Sequence, residues 1–455
     1  MTTDNELMQY LFSGSQTASE LSTRAQVSQP TLSRRIAAMG DAVVRIGNAR
    51  QSRYALARSL AGQGQFSVYR ISPQGQVQPL AHITPIQPEG YVVNIPTENT
   101  PTNSTYHQSL PWWLTDNRPQ GFIGRSFVHQ WASILGLPTE LNLWNDDHAL
   151  IALSQHGVDC SGNLIIGDTS LNIYLNQAPT NFIAYQLRPT RYTESAIAAS
   201  AGELVGSSAG GEQPKFNTHI QGENAPYTAL VKFSSPQNNP ATRRWRDLLI
   251  AEHLALNTLG AAGIVCAQSE LLETDTQTFL ETVRFDRIVN ANGNIGRLGV
   301  VSLGALDDEF TGLALAWPQV TLALTQKNII TPIAHQTTAK VHAFGQLIAN
   351  ADMHRGNLSF MHTSGLPLNQ SLELAPIYDM LPMHYAPRSS GMIPTEPPTF
   401  SIHHADSLPY LREMLPIAQS YWQTIVGDAR ISDDFKLIAA LQISVLNGLQ
   451  AKISE

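Results

Sequence analysis

A glycine-rich loop, a lysine closing an apolar run, a glutamate on an amphipathic helix, an Asp-x4-Asn pair and a further aspartate follow one another along this 455-residue chain. Their order constrains the fold more than any one of them does. The segment GELVGSSAGGEQPKF (202–216) supplies Gly202, Gly206, Gly210 and Gly211, with Ser207 and Ser208 between them. Glycine lets backbone N–H groups turn toward a phosphate without a Cβ clash. The segment is neither a Walker A sequence nor GxGxxG, so a flexible linker is the alternative; against it stands the specific, partly apolar ending QPKF (213–216). Lys232 ends the run ALV (229–231) before Phe233. A lysine closing a buried strand is unfavourable unless its ammonium meets an anion; an edge-strand lysine is the alternative. Glu252 falls on a predicted helix over 243–259, among Leu248, Leu249, Leu254 and Leu256, and would otherwise be a solvated helix residue.

Asp352 opens DMHRGN (352–357), whose Asp-x4-Asn spacing is that of a kinase catalytic loop. There the aspartate accepts the proton of the substrate hydroxyl and the asparagine holds a metal ion. That spacing recurs by chance and gains weight from Asp379, which ends LAPIYD (374–379) after the hydrophobic run 358–361. Two oxygen ligands from separate turns, Asn357 and Asp379, can share Mg²⁺ ions that bridge nucleotide phosphates. Taken alone, Asp379 reads equally as a turn or helix-cap aspartate. In series, the groups predict ATP bound between a small β-rich lobe and a larger helical lobe, with Lys232 on the α/β-phosphates and Glu252 as its partner.

Length and texture divide the chain into segments 1–60, 61–195, 196–330 and 331–455, a multidomain α+β organisation. The first reads as a winged helix-turn-helix: helical spacing of Leu7, Tyr10 and Leu11, helices over 18–24 and 29–39, Ser28 as an N-cap, and strands over 42–46 and 53–56. Net charge is −8, yet residues 1–60 hold seven Arg against four Asp or Glu, so the only basic surplus sits in this module. Gln29, Thr31, Ser33, Arg34 and Arg35 would face a DNA major groove from the third helix, with Arg50 and Arg53 of the wing near phosphates. A dimerisation or docking module is the alternative. Further on, 65–71 and 164–166 read as strands, the Pro- and polar-rich stretch 87–110 as a long loop, and Trp112 and Trp113 as core. Cys160 and Cys266 lie far apart, and no apolar run spans a bilayer. With no basic-then-apolar signal segment at the start, a cytoplasmic address and no membrane partner follow as expectations.

The chain resembles the HipA family, the serine/threonine kinase toxins of bacterial toxin–antitoxin systems, over roughly 65–440. The resemblance rests on SSAGGEQPKF (207–216), ALVKF (229–233), the helix holding Glu252, RFDR (284–287), NADMHRGNLSF (350–360) and LAPIYD (374–379). Together with the N-terminal winged helix and PWWLTDNRPQGFIGR (111–125), it is similar to the YjjJ- or HipH-like subgroup. The resemblance implies a bilobal fold with a helical C-lobe, ATP and Mg²⁺ as cofactors, and the backbone of 209–215 (Ala209, Gly210, Gly211, Gln213, Lys215) against the phosphates. It implies Val283, Arg284 and Phe285 as the hinge, Asp352 as base with His354 beside it, and Asn357, Tyr378 and Asp379 completing the ATP and metal site. Ser207 or Ser208 would be autophosphorylated, which silences such enzymes. The substrate would be a translation factor or aminoacyl-tRNA synthetase, and a HipB-like antitoxin a possible partner. The sequence departs from the family pattern at Gly356, where a lysine is usual, at Val283, where a glutamate is usual, and in the extra Glu212. Arg355 could substitute for the lysine from another direction.

Two other functions compete: a DNA-binding regulator whose kinase-like body senses nucleotide, and a nuclease. The latter finds only His403-His404, with no HxH, HExxH or clustered carboxylates.

Overall fold

The computed structural model describes residues 4–47, 52–96, 103–177, 180–201, 213–362, 370–399 and 407–454. Two compact units divide the chain, one comprising 1–118, 131–178 and 365–367, the other 119–130, 179–364 and 368–455.

The first unit begins with α1 (Asp4–Phe12), β1 (Gln16–Thr17), α2 (Ala18–Ala25), α3 (Gln29–Ala38), β2 (Val43–Ile46) and β3 (Arg53–Leu56). Its helices start where the sequence caps them. Thr17 and Glu20 form a reciprocal capping box, Ser28 Oγ accepts the Thr31 N–H, and Pro30 lies in the first turn of α3. Leu7, Leu11, Leu21, Ala25, Leu32 and Val43 close a small core beneath a β1-β3-β2 sheet. β4 (Phe66–Ile71), β5 (Val77–Pro85), β6 (Tyr91–Ile95), β7 (Asn103–His107) and β8 (Leu164–Ile166) then form an antiparallel sheet in the order β7-β6-β5-β4-β8. α4 (Gly121–Trp131) belongs, except for its last residue, to the second unit; α5 (Asp146–His156) and α6 (Asp168–Leu175) return to the first. Ala149, Leu150 and Leu153 of α5 pack with Phe66, Val68, Ile83 and Trp113, so Trp113 is core, and the half-buried Trp112 packs against the same cluster.

The stretch 87–110 is not a long loop. Its Pro and Gly make the turn into β6, while YVVNI and NSTYH supply β6 and β7. Gly90 sits at φ +91°, and a Cβ there would come within 2.8 Å of the His107 carbonyl, so glycine is required where β7 crosses the turn. Residues 97–102 lie outside the described residues.

In the second unit β9 (Ile183–Ala184), α7 (Arg188–Ala201), β10 (Lys215–Gln221), β11 (Pro226–Phe233), α8 (Pro240–Ala261), β12 (Ser269–Glu273) and β13 (Thr278–Val283) form a lobe whose sheet runs β12-β13-β11-β10-β9. Alternation along β11 assigns its two faces. Val231 and Phe233 join Phe279 and the α7 residues Tyr192 and Ala196 in one cluster, which turns Lys232 to the opposite face. After the hairpin β14 (Arg287–Val289) and β15 (Ile295–Arg297), β16 (Gly299–Ser302), α9 (Leu303–Phe310), α10 (Trp317–Gln326), α11 (Pro332–Leu347), β17 (Ser359–His362), β18 (Glu373–Leu374), α12 (Leu408–Gly427) and α13 (Asp433–Ser454) build a largely helical body. Phe344, Tyr385, Tyr421, Trp422 and Phe435 pack edge to face in its core, each beyond 98% buried.

Candidate active site

Lys232 is where the two parts of the second unit meet chemically. Its Nζ donates to both carboxylate oxygens of Glu252, at 2.8 and 2.7 Å, and to Asp379 Oδ1 at 2.6 Å. Strand β11 delivers the lysine, α8 the glutamate, and the segment after β18 the aspartate, so residues distant in sequence meet at one ammonium, Lys232 and Glu252 buried and Asp379 partly exposed. Burial by itself would depress the lysine, but the Asp379 and Glu252 carboxylates outweigh it and hold the ammonium above the ordinary lysine range. Glu252 is raised by burial against the pull of Lys232. For Asp379 burial acts upward too, yet Lys232 and Lys215 prevail and keep it below the usual carboxylate range. Lys215, opposite Lys232 in the β10–β11 register, therefore acts electrostatically on the same carboxylates.

Asp379 adopts φ +57°, a left-handed conformation that a non-glycine residue takes only when its surroundings fix it. Asp352 lies in the turn after α11, its N–H donating to Asn350 Oδ1 at 3.0 Å. Asn357 Nδ2 donates to the Asp352 carbonyl at 2.9 Å and lies 3.4 Å from Asp352 Oδ2, which leaves the amide oxygen of Asn357 turned to other partners. Burial raises the Asp352 carboxyl above its ordinary range, and Asp379 adds repulsion, against the pull of His354, Lys232 and the Asn357 hydrogen bond. The exposed His354 caps the following turn, with Nδ1 accepting the Gly356 N–H at 3.0 Å. Tyr378 packs its ring 5.9 Å from that of Phe285, and its hydroxyl meets Ser359 Oγ at 2.7 Å and donates to the Gly356 carbonyl at 3.1 Å.

The structure thus brings Lys215, Lys232, Glu252, Asp352, His354, Asn357 and Asp379 into one electrostatic group, with Phe285 and Tyr378 as an aromatic pair. Two expected ligand contacts stand differently. Arg284 directs its guanidinium to Asp286, at 3.0 and 2.9 Å, and the N–H groups of Val283 and Arg284 donate to Gln268 and Thr228 carbonyls. Of the expected hinge residues, Phe285 turns its ring to Tyr378. Gln213 is buried at the mouth of β10, whereas Ser207, Ser208, Ala209, Gly210 and Gly211 lie outside the described residues.

Gly356, where the resemblance implies a lysine, lies against the imidazole of His354. A Cβ at Gly356 would come within 2.9 Å of His354 Cε1 and 3.0 Å of Nδ1, so the exposed imidazole would have to shift to admit a side chain. Arg355 does not replace that lysine. Its Nη1 is paired with Asp307 and with Asp308, the latter at 2.9 Å, which turns the charge toward α9. Reasoning from sequence missed Asp307, Asn350 and Trp317. Trp317 Nε1 donates to the His354 carbonyl at 3.0 Å and steadies the loop from 37 residues upstream, where no spacing rule points.

On the first unit, α3 leaves Gln29, Ser33 and Arg34 exposed and Thr31 and Arg35 half-buried. Arg53, partly exposed, donates to the Ser15 carbonyl and hydroxyl at 2.5 and 3.0 Å and lies 3.8 Å from Glu20. Arg50, like the tip of the hairpin, lies outside the described residues.

These features define a fold of the HipA type. A family model described as HipA-like C-terminal domain matches residues 207–425, and one described as YjjJ-like toxin, middle domain, matches 62–175. The chain is 37% identical over 451 residues to Toxin YjjJ of Escherichia coli (strain K12), covering 99% of each. It belongs to the HipA family, among its YjjJ-like toxins. A solved structure of the Shewanella oneidensis MR-1 toxin–antitoxin system, HipA, HipB and its operator DNA, superposes with a TM-score of 0.54 at 16% identity, over 85% of this chain and 96% of that one, a likeness of fold.

Proposed function

We propose that the chain is an ATP-dependent serine/threonine protein kinase that phosphorylates a cellular protein in the cytoplasm. The observation that carries this reading is the Lys232–Glu252–Asp379 triangle set beside Asp352 and Asn357. The donor set suits Mg²⁺: the Asp379 carboxylate and the Asn357 amide oxygen are hard oxygens from two separate turns, a set that leaves room for phosphate ligands. Bound MgATP would supply the transferable phosphoryl group and the cationic charge that offsets its development. Lys232 and Lys215 would hold the phosphates, with Glu252 keeping the Lys232 ammonium in place. Phe285 and Tyr378 offer an apolar wall for a base. Asp352 accepts the proton of the incoming hydroxyl, and its raised pKa suits a group that must take up a proton in the reaction. Protein incubated with labelled ATP and Mg²⁺ should transfer phosphate to serine or threonine; equal labelling by Asp352→Ala would overturn the assignment. Ser207 or Ser208 is the proposed site of self-modification.

The departure at Gly356 supports a related expectation. In Gly356→Ala the new methyl displaces His354, and a misplacement of that kind lowers the transfer rate by on the order of 10²-fold. In a His354→Ala background the same change should have little further effect, as a double-mutant cycle on kcat would show. Additive losses would separate the two residues.

The first module is proposed as a winged helix that binds DNA through α3, and a HipB-like protein as a further partner, since the HipA structure of similar fold is a complex with HipB and operator DNA. Phosphate contacts would come from Arg34 and Arg35, because Arg53 is engaged with Ser15 and Glu20. Arg34→Ala with Arg35→Ala should weaken DNA binding and reduce the slope of log affinity against log salt by roughly two. An unchanged slope removes the DNA reading.

A further inference from the structure

The catalytic turn, residues 352–357, is gripped from one side by the corner between α9 and α10. Helix α9 passes it at contact distance: a Cβ at Gly304 would lie 3.6 Å from Arg355 Cβ and 3.7 Å from the Arg355 carbonyl. One turn further along α9 stands Asp307, fully buried, and a buried carboxylate is unfavourable unless it is paired and hydrogen-bonded. Its oxygens accept the N–H groups of Leu313 and Ala314, each at 3.0 Å, the Thr311 hydroxyl, and Nη1 of Arg355. Burial acts upward on this carboxyl, yet the Thr311 hydroxyl, the two N–H groups and Arg355 hold it below the ordinary aspartate range. The first three donors come from the loop that follows α9; the fourth comes from the catalytic turn.

The turn is tied at its ends by the Asp352 N–H on Asn350 Oδ1 and by the Leu303 N–H on the Leu358 carbonyl, at 3.0 and 2.8 Å. Within it, the Asn357 N–H donates to the His354 carbonyl and the Gly356 N–H to His354 Nδ1, each at 3.0 Å. These bonds give the turn its shape but do not set its middle against the body. That is done from outside. Trp317, at the start of α10 and 2% exposed, donates to the His354 carbonyl; Asp307 and Asp308 receive Arg355; the Tyr378 hydroxyl donates to the Gly356 carbonyl. Of these links, the one between Arg355 and Asp307 joins two full charges with the carboxylate wholly out of water, and charge-assisted hydrogen bonds are the stronger kind. Asp308 is exposed, where screening makes an ion pair weak.

We propose that Asp307 and Arg355 are positioning residues: with Trp317, the pair fixes the catalytic turn against α9 and α10 and so places Asp352 and Asn357 for phosphoryl transfer. The catalytic consequence rests on the kinase reading; the fixing of the turn does not. The test compares full-length wild type with Arg355→Met, which keeps the length of the side chain and removes its charge, with Arg355→Lys, and with Asp308→Asn. Two readouts are taken well below the unfolding temperature. One is amide hydrogen exchange over 352–358 in the nucleotide-free protein; the other is kcat per folded molecule, with affinity for a non-hydrolysable ATP analogue measured alongside. Arg355→Met is expected to speed exchange by at least about tenfold and to lower kcat by on the order of 10²-fold, with analogue affinity within about twofold of wild type. Arg355→Lys should retain part of both, and Asp308→Asn should change neither. Trp317→Phe keeps a ring and removes the N–H; it should move both readouts the same way, and it carries the test if Arg355→Met does not fold. A purely structural pair would lower the unfolding midpoint and leave kcat of the folded protein as it was, and that result overturns the proposal. Unchanged exchange in the variants overturns it too. Faster exchange in the variants of a protein whose wild type transfers no phosphate would defeat the kinase reading and leave the fixing of the turn standing.

Discussion

Lys232→Met is expected to abolish phosphoryl transfer and to lower the free energy of unfolding by about 3–5 kcal/mol, the loss typical when one partner of a buried ion pair is removed. The ammonium is the group that Glu252 and Asp379 both contact, and the Glu252 side chain is only 2% exposed. Without it, burial of Glu252 and repulsion from Asp379 act unopposed by Lys232, so the folded-state carboxyls titrate higher than unfolded ones. A raised folded pKa contributes stability below the unfolded value and loses it as pH rises through the folded value. The deficit of Lys232→Met should therefore be small in acid and grow toward neutrality. A urea midpoint measured across pH, at constant m, checks this. Lys232→Met with Glu252→Met should recover much of the lost stability, because replacing both partners by apolar groups is often neutral, and should recover none of the activity. A deficit relative to wild type as large in acid as at neutral pH would sink the account.

Asp352→Asn is expected to lower the rate of transfer by roughly 10²–10⁴-fold, the range for loss of a positioned general base, while leaving nucleotide binding nearly unchanged. The amide keeps the shape of the turn but cannot accept the hydroxyl proton. In the wild-type protein the acid limb of the rate profile should lie above the ordinary aspartate range, since burial raises the Asp352 carboxyl and only its ionised form can act as base. The limb should be missing from whatever activity Asp352→Asn retains. Single-turnover rates across pH, with nucleotide affinity measured separately, distinguish loss of the base from loss of the site.

Much of this site is legible in the residues alone. Lys232 at the end of an apolar run and Glu252 on a leucine-rich helix each have an ordinary alternative, as an edge-strand lysine and a solvated glutamate. Neither alternative describes them in the folded chain: Lys232 is 6% and Glu252 1% exposed, and they bind each other. The stretch 87–110 misleads because proline and glycine at a hairpin turn give the same composition as a linker, while five-residue strands are too short to dominate it. Trp317 and Asp307 give no signal, since a hydrogen bond to a loop 37 or 48 residues away leaves no period in the sequence.

The order of chemical groups, and the helices and strands that carry them, follow from the linear chain, because caps, alternation and helical spacing are local properties of neighbouring residues. Where the charges point does not. Arg355, next to Gly356, looks from sequence like a spare cation for the active site, and Arg53 like a phosphate contact. In the fold both are engaged by groups from elsewhere in the chain, Arg355 by the Asp307 and Asp308 carboxylates and Arg53 by the Ser15 carbonyl and hydroxyl. A guanidinium on a long side chain goes to the acceptors that folding brings nearest, and nearness in space is a property of the packed chain that the succession of residues does not record.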